Sequence, residues 1–292
     1  MNFLLRIRQA AGNLFRNHKL TYFLHGLFVF GLFYAYTENA YEEQLFGAIA
    51  QNVRSTMSTE ALKSEDSIVN KCLSMTHYLE ARRRKIFGDT DLKGFKAEIL
   101  QPVTFDLMTG KGACGSSSYV MGRLLREFDI PFRFGQMKAK GIYGGHIIIE
   151  AYVNGKWRVL DPLYELKFID EKGQLAGFAD IQSHWDYYKQ QVPVGYDTSY
   201  RYEDVQYTNW NKIPVIMPAF KQILSWVKGE EYVKTVSVRV WVLSKYKVIF
   251  RVGITLYLSL LLIRLYLYRH KPLKKATELL QPINKKFAAG LW

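Results

Sequence analysis

Two apolar runs, one near each end, constrain this chain more than any other feature. Residues 20–36, "LTYFLHGLFVFGLFYAY", hold no formal charge over seventeen positions, close to the shortest helix that crosses a bilayer. Residues 248–268, "VIFRVGITLYLSLLLIRLYLY", are interrupted only by Arg251 and Arg264. Both arginines lie near the ends, where long side chains reach the headgroups. Tyr22, Tyr34, Tyr36, Tyr266 and Tyr268 suit the interfacial belt of a membrane helix. His25, inside the first run, reads as a packed or snorkelling polar residue and not as a ligand. The alternative is a pair of buried helices in a soluble protein.

The net charge of +14 invites a nucleic-acid reading, so its placement matters. Residues 1–19 carry Arg6, Arg8, Arg16 and Lys19 and no acid, and residues 269–292 carry six basic residues against Glu278 alone. With these tails set aside the middle is nearly balanced, and no basic recognition face is indicated; nucleic acid is not an expected partner. The tails instead fit the positive-inside rule. Glu38, Glu42 and Glu43 follow the first run, which places the N-terminus in the cytoplasm, and the richer basic tail after the second run places the C-terminus there too. A cleaved signal peptide is the rival reading of the first run, but Glu38 spoils the small-x-small site after Tyr36, so an uncleaved anchor is expected. The expected organisation is a basic cytoplasmic tail (1–19), a transmembrane helix (20–36), an extracytoplasmic domain (37–247), a second transmembrane helix (248–268) and a second basic cytoplasmic tail (269–292). The chain is thus read as an integral protein of the cytoplasmic membrane, with the lipid bilayer and other membrane proteins as partners.

Within the middle, residues 41–53 read as a short amphipathic helix leaving the membrane. The next helix starts at Ser64 as N-cap, with Glu65 and Asp66 in its first turn. Its apolar positions Ile68, Val69, Cys72, Met75 and Leu79 recur at helical spacing, which puts Cys72 in the core. After a loop, "GKGACGSSSYVMGRLL" (110–125) runs into a helix whose buried stripe is Val120, Met121, Leu124, Leu125 and Phe128. Past Pro131 the period falls to two: strand "PFRFGQMK", a turn at Gly141, Gly144 and Gly145, strand "HIIIEAYV", Asn154–Gly155, and strand "KWRVLD". Helices followed by an antiparallel sheet make an α+β fold. Residues 178–210 are aromatic and polar with weak periodicity, either a loop-rich cover or a substrate-facing region. Residues 235–242, "TVSVRVWV", alternate like a strand with Val236, Val238, Val240 and Val242 on one face, and a juxtamembrane helix is the alternative.

The Asn-Gly hairpin fixes a register. A two-residue type I′ turn sets Val153 opposite Lys156, and counting back puts Ile148 opposite Asp161. His146, Ile148, Glu150, Val159 and Asp161 then share one face. His146 and Asp161 become diagonal neighbours with Cα atoms roughly 7–8 Å apart, close enough for a carboxylate to orient an imidazole. Glu150 lies too far along the strand for that task. Cys114, one of two cysteines, is the candidate nucleophile. A helix N-terminus and a nearby imidazole both favour its thiolate, and the free N–H groups of the first turn could bind an oxyanion. Gly110, Gly112 and Gly115 leave room for a substrate backbone.

"GKGACGSSSYVMGRLLREFDIPFRF" followed by "GGHIIIEAYVNGKWRVLDPLY" resembles the transglutaminase-like superfamily of cysteine enzymes, in its membrane-anchored bacterial type. The resemblance covers about residues 64–165 and implies a papain/transglutaminase-like core, helices packed on an antiparallel sheet, between the two transmembrane helices. It implies Cys114, His146 and Asp161 as the catalytic triad, Trp157 and Pro162 as flanking positions, and Glu150 as an acidic position of the His strand. Ile147 and Ile148 depart from the small residue and Trp that often follow the family's histidine. Gln101 is a candidate oxyanion side chain. The chemistry implied is attack of Cys114 on a peptide or carboxamide carbonyl of a protein or peptide substrate, with a thioester passed to water or an amine. No cofactor and no metal are expected, since no metal-ligand spacing occurs. Two other readings stay open: a Cys72–Cys114 disulfide, and a catalytically idle binding or scaffold module of an envelope assembly.

Overall fold

A computed structural model describes residues 18–87, 93–109, 114–139, 142–197 and 199–269. By contact the chain divides into two units, one of residues 37–246 and one of the two terminal portions. The basic tails expected at 1–19 and 269–292 lie almost wholly outside the described residues.

Helix α1, His18–Ser55, is continuous. The two separate helices expected at 20–36 and 41–53 are therefore one, because no glycine, proline or cap interrupts residues 36–41 and Thr37, Glu38 and Asn39 are tolerated in a helix already nucleated on both sides. Ser64 Oγ accepts a hydrogen bond from Ser67 N at 3.3 Å and opens α2, Glu65–Phe87. A single π-type turn, Lys96–Leu100, leads to α3, Val103–Thr109, in a stretch read from the sequence as loop. Helix α4, Cys114–Arg126, begins at the cysteine and buries Val120, Met121, Leu124 and Leu125 as its spacing predicts, whereas Phe128 lies past its end and is half-buried.

The strands β1 (Phe132–Ala139), β2 (Ile142–Val153), β3 (Lys156–Asp161) and β4 (Leu166–Lys167) follow. After the short helices α5 (Phe178–Ser183) and α6 (Trp185–Tyr188) comes β5, Tyr200–Gln206. The five strands form one antiparallel sheet in the order β4-β3-β2-β1-β5. The fold is α+β. Val153 pairs with Lys156 and Ile149 with Leu160, as the two-residue turn requires. Asn154 (φ 49°) and Gly155 (φ 77°) both take positive φ, the signature of type I′.

One face of the sheet packs on helices: Phe134, Ile149 and Leu160 meet Phe46 of α1, Cys72 of α2 and Leu124 of α4 in a single buried cluster. The other face, with Met137, Ile148 and Val159, is covered by Phe168, Ile181, Tyr196 and Tyr202. Residues 178–210 are thus a second layer carrying an edge strand. The sequence hides that strand, since "YRYEDVQ" packs aromatics against the sheet instead of aliphatics.

Residues 235–242 do not form the strand expected there. They end α8 (Glu230–Thr235), which follows α7 (Ile216–Lys228), and include α9 (Val238–Trp241). Only Val236 and Ser237 are extended; Val236 O accepts from Thr208 Oγ1 at 2.7 Å and Ser237 Oγ accepts from Phe134 N at 3.3 Å. These side-chain contacts take the place of a ladder, and the valine alternation serves two short helices.

The last helix among the described residues is α10, Lys245–Arg269. Helices α1 and α10 are each long and apolar enough to cross a membrane. In their unit, Phe28 stacks on Tyr257 with ring centroids 5.3 Å apart, and Gly253 lies so close to Leu32 that a Cβ there would come within 2.8 Å of Cδ2. His25 Nδ1 lies 3.1 Å from Tyr257 Oη, and its Nε2 lies 2.9 Å from Arg264 Nη1. His25 is a hydrogen-bonded packing residue.

Candidate active site

Cys114 stands at the first position of α4. Ser118 Oγ, one turn on, donates to Ile147 O at 2.9 Å and ties that turn to β2. Further along, Gly122 lets α4 approach β1, where an added Cβ would fall 2.7 Å from Phe132 and 2.9 Å from Phe134. The approach residues 110–113, with Gly110 and Gly112, lie outside the described residues.

His146 follows an irregularity in β2. Met137 pairs with His146, but the next residue, Lys138, pairs with Tyr143, so Gly144 and Gly145 form a bulge. Gly144 takes φ +81°, and a Cβ on Gly145 would fall 2.4 Å from Ala139 Cβ. Glycine is required at both. Of the glycine-rich turn expected at Gly141, Gly144 and Gly145, Gly141 lies outside the described residues, while Gly144 and Gly145 fall within β2, which begins at Ile142; the bulge aims His146 beside the start of α4.

Asp161 ends β3. Its Oδ2 accepts from His146 Nε2 at 2.6 Å, and its Oδ1 accepts from Leu163 N at 3.2 Å. Both side chains are fully buried. With Nε2 committed to Asp161, His146 Nδ1 is the ring nitrogen left to face Cys114. Burial alone would push the Cys114 thiol up. The neighbouring His146 imidazole and its charge, helped by the Ile147 amide, outweigh burial and lower its pKa. Burial alone would likewise push His146 down, but Asp161 and Cys114 raise it to about 9. These opposite shifts favour a thiolate–imidazolium pair around neutral pH. Cys72 contrasts with this: it is free, fully buried, and pushed up by burial to about 12. Cys114 is also free, so the two cysteines form no disulfide here.

Sequence reasoning missed the aromatic wall. Tyr200 stacks on the His146 ring at 4.0 Å between centroids and 4° between planes, and Tyr164 and Tyr196 approach its other sides. For Tyr196 and Tyr200 the signal was present as the aromatic density of residues 178–210, but nothing in one sequence assigns those rings, or Tyr164, to one histidine. Also missed was Asp106 of α3, whose Oδ1 accepts from Ser116 Oγ at 2.9 Å, two residues beyond Cys114. Burial raises the Asp106 carboxyl to about 7 against the opposing pull of Ser116 and Lys245.

No protein-family model, curated protein or solved structure matches the chain.

The other singled-out positions have different surroundings. Glu150 pairs with Arg133 at 2.6 Å and accepts from Tyr207 Oη at 2.7 Å, an ion-pair network apart from Cys114. Trp157 lies under the Arg133 guanidinium at 4.2 Å and beside Tyr152. Gln101 has an exposed side chain and a left-handed backbone (φ 40°), and its carbonyl accepts from Lys245 Nζ. Among the described residues no group of three or more His, Cys, Asp or Glu is arranged to hold a metal ion.

Proposed function

We propose that this chain is a membrane-anchored, transglutaminase-like cysteine enzyme that cleaves or transfers acyl groups from peptide or carboxamide bonds. The observation that carries the reading is the buried 2.6 Å His146–Asp161 hydrogen bond, with the same imidazole lowering the pKa of a cysteine that opens a helix. The sequence pattern from Gly112 to Pro162, with helices before an antiparallel sheet, supports a papain/transglutaminase-like core.

In the first step the Cys114 thiolate attacks the substrate carbonyl carbon, and the carbonyl π pair moves onto oxygen. The first-turn N–H groups of α4 stabilise that oxyanion. Collapse of the adduct breaks the C–N bond, and His146, as imidazolium, gives its Nδ1 proton to the departing amine. A thioester and a neutral imidazole remain. His146 then takes a proton from water or from an acceptor amine as it attacks the thioester, and the proton stays on His146 beside the regenerated thiolate. Asp161 holds the ring and compensates its charge throughout. Helices α1 and α10 anchor the domain, with both termini cytoplasmic and residues 37–247 outside.

A small activated ester, p-nitrophenyl acetate, tests the reading without knowledge of the substrate. Acetylation of Cys114, seen by peptide mass spectrometry and lost with nitrophenol release in Cys114→Ser, supports it. Release unchanged in Cys114→Ser, with no acyl group on Cys114, overturns it. That result favours a second reading, an idle binding or scaffold module, which the fully buried His146 under the Tyr200 ring also suits.

A further inference from the structure

Helix α7 has no core to face. None of its residues is buried, yet its apolar side chains recur at helical spacing along one side. Ile216 is 64% exposed, Ile223 53%, Trp226 77% and Val227 68%. Phe220, beside this stripe, is held between Trp210 and Trp241 at ring distances of 6.3 and 6.0 Å. The helix is therefore fastened along one edge and presents the rest of its apolar side outward.

We propose that α7 lies in the interface of an anionic lipid bilayer, with Ile216, Ile223, Trp226 and Val227 among the acyl chains. Three observations favour lipid. The polar side carries Lys221 and Lys228 and no acid, and neither lysine has an ion-pair partner among the described residues. The acids that follow are engaged locally, Glu231 by Lys234 at 2.7 Å and Glu230 by the Ser225 hydroxyl. The same chain holds two helices long and apolar enough to cross a membrane, and α10 begins at Lys245, after the sixteen residues 229–244. A cationic amphipathic helix with an exposed tryptophan has the composition that binds anionic headgroups and inserts its apolar side. This holds whether or not Cys114 is a nucleophile.

Spin labels test it on the full chain reconstituted in phosphatidylglycerol/phosphatidylcholine vesicles. Single cysteines replace Ile216→Cys, Lys221→Cys, Ile223→Cys, Ser225→Cys and Val227→Cys in a Cys114→Ser background, where Cys72 is buried. Collisions with lipid-soluble oxygen should exceed those with a water-soluble nickel chelate at 216, 223 and 227, and the order should reverse at 221 and 225. Lys221→Gln with Lys228→Gln should move the apolar labels outward in these vesicles. Equal chelate access at 223 and 221 would overturn the proposal, as would labels at 223 and 227 shielded from both quenchers, which would mark a second copy or a protein partner. A depth unmoved by the lysine substitutions would overturn the requirement for anionic lipid.

Discussion

His146 and Cys114 share one proton economy, and its pH dependence follows from the direction of each shift. His146 is raised from an ordinary 6.5 to about 9, so the stability it contributes is present below about 6.5 and is lost as pH rises through about 9. Asp161→Asn removes the charge that holds the imidazolium while keeping the side-chain shape. Thermal unfolding should show a loss of about 3 kcal/mol near pH 6, and the gap to wild type should narrow above pH 9. Asp106 behaves differently. Its carboxyl is raised by burial from an ordinary 3.8 to about 7, so the stability of its protonated form is present below 3.8 and is lost as pH rises through about 7. Asp106→Asn keeps a partner for Ser116 and removes that loss. Its melting temperature should exceed wild type at pH 8 and approach it at pH 5.

At the scale of elements, the site depends on two close approaches that need glycine. Gly122 sets α4 against β1, and Gly144–Gly145 bend β2 just before His146. Gly122→Ala must displace the Phe132 and Phe134 rings, at a cost of about 1–3 kcal/mol, which denaturant titration would measure. Because α4 also carries Cys114, its thiol should lose reactivity in the same variant. The hairpin was legible because Asn154–Gly155 is short-range chemistry: one turn type fixes one register, and the register puts His146 and Asp161 on one face. Cys114 was legible through the helix pattern behind it. The bulge was read as a plain turn, because glycines mark a departure from regular strand without saying which. Strand β5 and the Tyr200 stack escaped because they pair residues 54 to 70 positions apart with no local period. Residues 235–242 misled for the opposite reason. Their valine alternation is a strand signal, but β1 pairs with β5 at Gln136, Lys138 and Ala139.

For the whole molecule, charge and apolar length sort the chain into a nearly balanced middle, two long apolar helices and basic ends. That arrangement sets the expected topology. A phosphatase reporter, active only outside the cytoplasm, should be inactive when fused after Trp292 and active when inserted in the exposed segment at Val194; the reverse pattern would invert the orientation. The central claim is nonetheless local, that His146 turns Cys114 into a nucleophile. The most direct measurement is the iodoacetamide alkylation rate of each cysteine at pH 7, followed by peptide mass spectrometry, with Cys72 as internal reference. Wild-type Cys114 should react about tenfold faster than free cysteine or more, and His146→Ala should abolish that advantage. A wild-type rate no higher than free cysteine, unchanged by His146→Ala, would contradict the account.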